Sequence, residues 1–375
     1  MLSNRLPHYI CLALGATGLL LTGCTTPASD TATETAEAHY TLEDFTKVRK
    51  FDAHVHLNVK DSAFVDQAKA DNFELLTINV DYPAFPSIAD QADAAHLFHK
   101  ADPKHFHYAA TFSMQGFGTP EWAGKTNAYI DSEADQGALG VKVWKNVGMV
   151  ERDKNGKLIF IDDAGFDPVI AHIEKRGLAF IAHQAEPKNA WLPVEEMTTT
   201  NDKLYFGNFP EYHMYKQPQM PRYEELIQHR DRFVTRHPEL NFIGAHMGSL
   251  EWSVDEAAKF LDAHPNATLE LAARITQIQY QSVRDYQKVR NFFIKYQDRL
   301  MYGTDLTLNP GDDPAAFRAT AHEYWRNDWA YLATDTVRRV DDIEADVTGL
   351  NLPKSVIDKL YYTNAKRVFF KNNKN

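Results

Sequence analysis

Short apolar runs alternate with longer amphipathic stretches along the chain from about residue 50 onward. The short runs have the length of β-strands, and the stretches between them place apolar residues three or four positions apart, as an α-helix does. Strands are predicted at residues 51–56, 74–81, 106–114, 139–146, 178–184, 241–248, 267–274 and 299–306. Because each is followed by a helical segment, the pattern predicts an α/β protein, a single (β/α)₈ TIM barrel, regular or distorted, over residues 46–375.

The helical segments begin and end at ordinary boundary residues. Predicted helices include residues 88–102, 167–177, 221–238, 253–265 and 282–297. Gly177 ends the second of these, and His-Pro pairs at 237–238 and 264–265 end two more. One barrel accounts for all of these elements and leaves no room for a second domain.

The first 24 residues differ from the rest of the chain. Arg5 is followed by an apolar run to Leu21 that is short for a membrane span and typical of an export signal. The sequence "LTGC" at 21–24 resembles the lipobox of bacterial lipoproteins, in which the cysteine is acylated. We therefore expect a lipoprotein signal peptide over residues 1–24 with lipidation at Cys24; a plain secretory signal with an incidental cysteine is the alternative.

Residues 25–45 are mostly Thr, Ala, Ser and acidic residues, a composition typical of a flexible tether. We expect an exported bacterial lipoprotein of the cell envelope, attached to the membrane only through the lipid on Cys24. Thr25 follows the cysteine where an aspartate would favour retention at the inner membrane, so the outer membrane is expected.

Composition narrows the function classes further. The 375 residues are 44% hydrophobic and 24% charged, with a net charge of −11, which argues against a nucleic-acid-binding surface. The two cysteines, Cys11 and Cys24, both precede residue 25. A disulfide scaffold, a zinc finger and a cysteine nucleophile are therefore excluded from the predicted barrel.

Ionisable residues recur at the predicted C-terminal ends of the strands, where TIM barrels carry their chemistry. They are His54, His56, Lys142, His183, His246, Arg274 and Asp305. Four imidazoles and a carboxylate that converge on one space suit Zn²⁺ or another first-row cation. Strict alternation also places Asp52 on the face of His54 and His56, as a candidate to support the site; a capped or solvated carboxylate is the alternative.

Four ordered motifs carry a family resemblance. They are "DAHVH" at 52–56, "AHQAEP" at 182–187, "GAHMGS" at 244–249 and "YGTDL" at 302–306, followed by "TNAKRVF" at 363–369. Together they resemble the amidohydrolase superfamily, in particular the amidohydrolase-related branch that includes non-oxidative decarboxylases and hydratases. The resemblance implies a (β/α)₈ barrel with one divalent metal, most simply zinc, held by His54, His56, His183 and Asp305. It implies that His246 is a catalytic base, an orienting group or a further ligand.

Metal chemistry then indicates catalytic roles. A bound cation lowers the pKa of its water to about 7. Asp305 is expected to accept the proton of that water, and His246 to stabilise an oxyanion or move a proton. Glu186 follows His183 by three residues, as a glutamate does in adenosine-deaminase-like relatives, which implies a catalytic proton transfer; because Pro187 follows, a loop or substrate contact is the alternative.

Other residues are expected to bind substrate. Lys142 and Trp144 share a face of the fourth strand, and Trp144 would fill space that a second metal needs, so we favour one metal over a carbamylated Lys142 that bridges two, as in binuclear relatives. Arg274 is expected to clamp a carboxylate or carbonyl group, with a surface ion pair as the alternative. Arg222 follows an aromatic-rich insertion, residues 187–221, that we expect to form part of the pocket.

These features predict a metal-dependent hydrolase that cleaves a C–N or C–O bond of a small molecule, such as an amide, an ester or lactone, or an amine that is deaminated. A lyase is the first alternative, because decarboxylation or hydration needs the same Lewis acid and proton carrier. A barrel that binds a ligand without changing it is the second alternative, since a fold alone does not imply activity.

Overall fold

The computed structural model describes residues 37–371. The strands are β1 Lys50–Leu57, β2 Phe73–Ile78, β3 Phe106–Thr111, β4 Gly140–Val143, β5 Ala179–Ala182, β6 Phe242–Gly244, β7 Thr268–Glu270, β8 Leu300–Met301, β9 Leu306–Leu308, β10 Val337–Val340 and β11 Ala345–Thr348. The helices are α1 Ala63–Ala70, α2 Ile88–Ala101, α3 Trp122–Asp135, α4 Asn146–Met149, α5 Asp167–Arg176, α6 Thr200–Asn208, α7 Tyr223–Arg236, α8 Ala245–Gly248, α9 Val254–Ala263, α10 Ile275–Ser282, α11 Tyr286–Lys295, α12 Pro314–Ala333, α13 Lys354–Asp358 and α14 Asn364–Phe369. Shorter 3₁₀ turns lie at Leu42–Asp44, Ala164–Phe166, Lys188–Trp191, Val194–Glu196, Pro210–Tyr212, Met214–Lys216 and Asp341–Ile343, and a π-helical turn lies at Lys359–Thr363.

The first nine strands form one parallel sheet in the order β8-β7-β6-β5-β4-β3-β2-β1-β9. The eighth barrel strand is interrupted: β8 pairs with β7, and β9 pairs with β1. Between these two pieces, the N–H of Ala53 on β1 donates to the carbonyl of Tyr302 at 3.0 Å, which closes the ring. The (β/α)₈ barrel predicted from the strand–helix pattern is confirmed.

Strand β1 contains a bulge just before its first histidine. Asp52 pairs with Leu75, and Val55 pairs with Thr77. Over this distance β1 advances by three residues and β2 by two, so β1 contains one extra residue. As a result Ala53 packs inside the barrel, whereas Val55 packs in the outer layer with the helices. The expectation from strict alternation that Asp52 shares the face of His54 was wrong, because the extra residue reverses the phase of the strand.

The C-terminal segment closes the N-terminal end of the barrel. Phe369 of α14 stacks on Phe51 of β1 with ring centroids 6.2 Å apart. Glu74 of β2 accepts hydrogen bonds from Tyr362 at 3.0 Å and from Lys366 at 3.2 Å. Because this end is packed, the opposite end, where the strands terminate, is left for a functional site.

The segment that precedes β1 is packed where the structure describes it. The hydroxyl of Tyr40 donates to Asp358 at 2.7 Å, and Phe45 is buried beside Trp329. The packed part of the chain therefore begins before residue 46. The predicted signal peptide, Cys24 and residues 25–36 lie outside the described residues. Within residues 37–371, no helix is both long and apolar enough to cross a membrane.

The insertion, residues 187–221, folds into α6 and four 3₁₀ turns rather than an open loop. Its apolar side chains form a small core of their own, which includes Ala190, Met197, Phe206 and Met214 and reaches Leu226 on α7. This core makes the insertion a packed element; that it forms part of the substrate pocket stays a prediction.

Candidate metal centre

Three candidate ligands converge at the C-terminal end of the barrel. Nε2 of His56 lies 3.1 Å from Oδ1 of Asp305, and Nε2 of His54 lies 3.3 Å from the same oxygen. Two imidazole nitrogens and one carboxylate oxygen at this spacing form the kind of donor set that holds Zn²⁺ or a related cation. The sequence-predicted ligands His54, His56 and Asp305 are thus brought together.

Hydrogen bonds fix which nitrogen of each imidazole faces Asp305. Nδ1 of His56 donates to the carbonyl of Ile78 at 2.8 Å, and Nδ1 of His54 donates to Oε1 of Glu270 at 2.9 Å. Both partners accept hydrogen bonds, so the Nδ1 atoms carry the protons and the Nε2 lone pairs point towards Asp305. Burial, with the charge of Lys142, lowers the pKa of His54 well below its usual value and keeps it a neutral ligand.

Glu270 at the end of β7 is a functional residue that the sequence analysis missed. Its Oε1 also accepts the backbone N–H of His246 at 2.6 Å, and its Oε2 accepts that of Ala272 at 2.6 Å. Because N–H donors occupy both oxygens, Glu270 orients His54 and His246 rather than serving as a ligand. The available signal was a lone acidic residue inside the apolar run of residues 267–273.

His246 and His183 extend the imidazole cluster beyond His54. The ring of His246 lies 4.9 Å from that of His54 and 4.2 Å from that of His183, centroid to centroid. Nδ1 of His246 donates to the carbonyl of Ala272 at 2.9 Å, which leaves its Nε2 free for a proton or a ligand. Nε2 of His183 lies 3.1 Å from the carbonyl of Ala185, so its Nδ1 is the available atom. Burial lowers the pKa of both rings.

The backbone is strained where it presents these groups. Five of the eight non-glycine residues with positive φ in residues 37–371 lie here: His246, Met247, Ser249, Ala273 and Asp305. Such conformations persist only where the surroundings enforce them, and they cluster at functional sites. At Asp305 the enforcing contact is its N–H, which donates to the carbonyl of His54 at 2.7 Å.

Asp52 supports the site from outside the barrel. It accepts hydrogen bonds from the hydroxyl and the N–H of Thr304, at 2.7 and 3.1 Å, and from the N–H of His54 at 3.2 Å. The indole of Trp325 on α12 donates to it at 2.9 Å. One carboxylate therefore ties the residue before Asp305 to the strand that carries two candidate ligands.

Two sequence-predicted substrate-binding cations lie beside the histidines. Lys142 is buried, and its Nζ lies 3.5 Å from Nε2 of His54. Burial lowers its pKa to about 8, against the opposing charges of Glu270 and Asp305. Arg274 is buried too, and its charge contributes to lowering the pKa of His54, His183 and His246.

Glu186 is paired with a second lysine. It forms a buried ion pair with Lys145, whose ammonium group lies 5.3 Å from the ring centroid of Trp144 and 4.8 Å from that of Tyr212. Arg222, in contrast, is exposed before α7, and no side-chain hydrogen bond within the described residues joins it to the site.

Trp144 belongs to an aromatic wall of the mouth. Its ring lies 4.5 Å from that of Tyr82, which lies 5.1 Å from that of Phe85. The ring of Phe85 in turn lies 5.1 Å from the imidazole of His56. The wall therefore connects the insertion side of the mouth with the candidate metal ligands.

Comparisons with known proteins agree with this architecture. A model of the amidohydrolase family matches residues 51–371. A search of curated proteins found no match. An uncharacterized TIM-barrel protein from Bordetella bronchiseptica aligns with a TM-score of 0.53 and 14% identity, over 86% of this chain and 99% of that one. The 2,6-dihydroxybenzoate decarboxylase from Rhizobium aligns with a TM-score of 0.51 and 15% identity, over 87% of this chain and 99% of that one.

At these identities the solved structures support the barrel fold alone. The family model is more specific, because its match extends from β1 to the residues after α14 and includes all the motifs that carry the family resemblance, from "DAHVH" to "TNAKRVF". The chain belongs to the amidohydrolase family.

Proposed function

We propose that the protein is a metal-dependent hydrolase that cleaves a C–N or C–O bond of a small molecule. The observation that carries the proposal is the convergence of Nε2 of His54 and Nε2 of His56 on Oδ1 of Asp305, with the Nδ1 atom of each imidazole held by a hydrogen-bond acceptor. This donor set fits one divalent cation, for which zinc is the first candidate, and His183 and His246 stand beside it for further coordination.

A cation held by these residues supplies Lewis acidity, which acidifies water and polarises a carbonyl group. Burial raises the pKa of Asp305, but the neighbouring His246, His56 and His54 outweigh it and hold the pKa well below its usual value. Asp305 is therefore ionised and able to accept a proton. Its side chain is 33% exposed, so a reacting molecule can reach it.

His246 is suited to move a proton at the substrate. Its Nδ1–H is held by the carbonyl of Ala272, and burial keeps the ring neutral, so Nε2 is a base within the site. Glu186 is proposed as a second proton carrier, with Lys145 holding its carboxylate in place. Lys142 and Arg274 are proposed to bind a carbonyl or carboxylate oxygen of the substrate, and Trp144 to contact its apolar part.

A lyase is the second candidate. The observation that favours it is the pair of buried cations, Lys142 and Arg274, beside the histidines, because a decarboxylase must bind a carboxylate next to its Lewis acid. The fold likeness to a 2,6-dihydroxybenzoate decarboxylase is consistent with this candidate.

Isotope incorporation separates the two candidates. Purified protein is stripped with a chelator, reloaded with zinc, and incubated in ¹⁸O-labelled water with panels of amides, lactones and aromatic acids. A hydrolase incorporates one labelled oxygen and cleaves the substrate in two, a decarboxylase releases CO₂ and incorporates none, and a hydratase incorporates one labelled oxygen without cleavage. Activity should disappear on chelation and return with zinc; full turnover by the stripped protein would contradict both candidates.

We also propose that the protein is exported and anchored through a lipid on Cys24, which leaves the barrel outside the cytoplasm. Replacement Cys24→Ser should move the protein from the membrane fraction to a soluble fraction. The expected partner is a small-molecule substrate rather than a nucleic acid, because the net charge is −11.

A further inference from the structure

Beside the histidines, a polar cluster joins three parts of the chain. Arg274 precedes α10, Gln277 lies on α10, Glu251 follows α8, and Asp202 belongs to α6 of the insertion. The exposed fractions of Glu251, Gln277 and Arg274 are only 2%, 5% and 8%. Side chains of these types are seldom buried so deeply without a specific role.

Hydrogen bonds build the cluster into a fixed frame. Oδ2 of Asp202 accepts from the amide of Asn189 at 2.7 Å and from that of Gln277 at 3.1 Å. Oε1 of Glu251 accepts the backbone N–H of Lys188 at 2.7 Å. The start of the insertion is therefore fastened to the turns that follow β6 and β7, and the side chains of Gln277 and Glu251 are held by one end each.

Three buried side-chain atoms of the cluster have no hydrogen-bond partner in residues 37–371: Oε2 of Glu251, Oε1 of Gln277 and Nε of Arg274. Nη1 of Arg274 donates to the carbonyl of the neighbouring Ala273 at 2.8 Å. An unpaired buried polar atom costs about as much as a lost hydrogen bond, so three of them in one cluster need an explanation. Arg274 lies two residues after Ala272, whose carbonyl accepts the Nδ1–H of His246 at 2.9 Å. Glu251 lies two residues after Ser249, whose hydroxyl donates at 2.9 Å to the carbonyl of Ala185, the group that Nε2 of His183 also contacts. These contacts place the cluster next to the imidazoles.

We propose that Arg274, Gln277 and Glu251 form a substrate subsite for a group that joins a carboxylate or carbonyl oxygen to a neighbouring N–H or O–H donor. Arg274 donates to the oxygen, and Gln277 and Glu251 accept from the donor. The end of a 2-amino acid or a 2-hydroxy acid has this arrangement, and a plain monocarboxylate lacks the donor. The inference rests on the proposed function, because the subsite serves the substrate of that centre.

The test compares three probes of equal chain length: L-alanine, L-lactate and propionate. Their dissociation constants are measured by calorimetry on zinc-loaded full-length protein at about pH 8, above the pKa of about 7 to which burial raises Glu251. We expect alanine or lactate to bind about tenfold more tightly than propionate. Preference for alanine would identify an ammonium group, and preference for lactate a hydroxyl group.

Replacement Glu251→Gln keeps an acceptor for the N–H of Lys188 and places an amide NH₂ where Oε2 now lies. We expect this change to reduce the preference over propionate to about twofold or less, because a donor then faces a donor. Gln279→Leu is the matched control. Gln279 lies on the opposite face of α10, where it lines a separate cavity of about 300 Å³, and its replacement should leave all three affinities unchanged.

Equal binding of the three probes, binding of none of them, or equal effects of Glu251→Gln and Gln279→Leu would each overturn the subsite. The variant His56→Ala separates this outcome from a failure of the proposed function. If His56→Ala still binds zinc, the metal centre is wrong while the probe preference stands. If zinc is lost as expected and the parent protein shows no preference, the subsite alone is wrong.

Discussion

The side chains of His54 on β1 and Glu270 on β7 are in contact across the eighth barrel strand, which lies between them. Nδ1 of the imidazole is 2.9 Å from Oε1 of the carboxylate, and both side chains are 1% exposed. The strand allows this contact because Gly303 lies between them: a Cβ there would stand 2.8 Å from Oε2 of Glu270 and 3.1 Å from Cβ of His54. Oε1 of Glu270, which accepts from His54, also accepts the N–H of His246. One buried glutamate thus sets the position of a candidate ligand and of a candidate base.

Replacement Glu270→Gln should lower zinc affinity about 10- to 100-fold, because the amide turns one acceptor into a donor that faces N–H groups. A competition titration against a chelating dye measures the affinity. Glu74→Gln is the matched control, since Glu74 is also a buried strand glutamate but contacts His107 and Lys366 at the other end of the barrel. Glu74→Gln should lower the melting temperature without changing zinc affinity. Equal zinc affinity in Glu270→Gln and the parent would refute the orienting role.

The fold was largely predictable from the sequence, because strand-length apolar runs and helical periodicity survive in a parallel barrel. Each predicted strand exists, although most end earlier than predicted; β7 stops at Glu270, four residues before the expected end. The strands end early because the chain leaves the sheet to present side chains at the mouth, as at Ala273 and Asp305, where φ is positive. Hydrophobic pattern carries no signal for such turns.

Three further features could not be predicted from the sequence, for related reasons. The bulge before His54 was invisible, because an inserted residue leaves an apolar run apolar. Glu270 was overlooked because one acidic residue in a strand is informative only once its partners on other strands are known. The hairpin of β10 and β11 escaped detection because its strands, "VRRV" and "ADVT", are mostly exposed and lack an apolar face.

Asp52 provides a test of how the bulged strand positions Asp305. Replacement Asp52→Asn should destabilise the protein by about 2–4 kcal/mol, because an NH₂ group would face donors from Thr304 and either His54 or Trp325. Zinc affinity should fall as well, since Thr304 precedes Asp305. Urea unfolding and zinc titration measure the two effects. Trp325→Phe removes one donor only, so it should cost stability without weakening zinc binding.

Removal of a candidate ligand should separate metal binding from folding. We expect His54→Ala and His56→Ala to lose stoichiometric zinc and activity while keeping the circular dichroism spectrum of the parent, because the barrel core lies below the site. His105→Ala is a suitable control, because His105 is an exposed histidine that pairs with Asp102 at the N-terminal end of β3, away from the mouth of the barrel. Zinc content of the purified variants is read by mass spectrometry. Full zinc occupancy in both site variants would show that the metal is held elsewhere.

Asp328 predicts a pH dependence of stability. It is buried and accepts the hydroxyl of Tyr302 at 2.8 Å, and burial raises its pKa to about 7. In the unfolded chain the pKa of an aspartic acid is about 3.9, so between about pH 4 and 7 this proton is bound in the folded state alone. Asp328 therefore contributes a fall in the free energy of unfolding, of at most about 4 kcal/mol, as pH rises through this window.

Asp328→Asn should remove that contribution, because the amide still accepts from Tyr302 but does not titrate. Asp52 and Glu251, whose pKa values burial also raises to about 7, contribute with the same sign, and the buried histidines with lowered pKa values contribute with the opposite sign. The quantity to compare is therefore the difference between the curves of the variant and the parent. Asp346→Asn changes an exposed aspartate and should leave the slope as in the parent. Urea unfolding at intervals between about pH 4 and 8 provides the curves. Parallel curves for Asp328→Asn and the parent would show that Asp328 is ionised when folded.

Replacement of Lys142 distinguishes a centre with one metal ion from a centre with two. Its ammonium lies 3.5 Å from Nε2 of His54 and is buried among charged neighbours, so it is placed either to bind substrate or, if carbamylated, to bridge a second cation. We predict that Lys142→Met keeps the zinc content of the parent, near one per chain, and loses about a hundredfold in activity, because a preorganised donor to the substrate disappears. Lys50→Met is the matched control, since Lys50 is an equally buried lysine at the other end of β1 whose ammonium contacts backbone carbonyls. A parent with two zinc ions that drops to one in Lys142→Met would instead establish the bridged centre, because only a carbamylated lysine supplies a ligand that methionine removes.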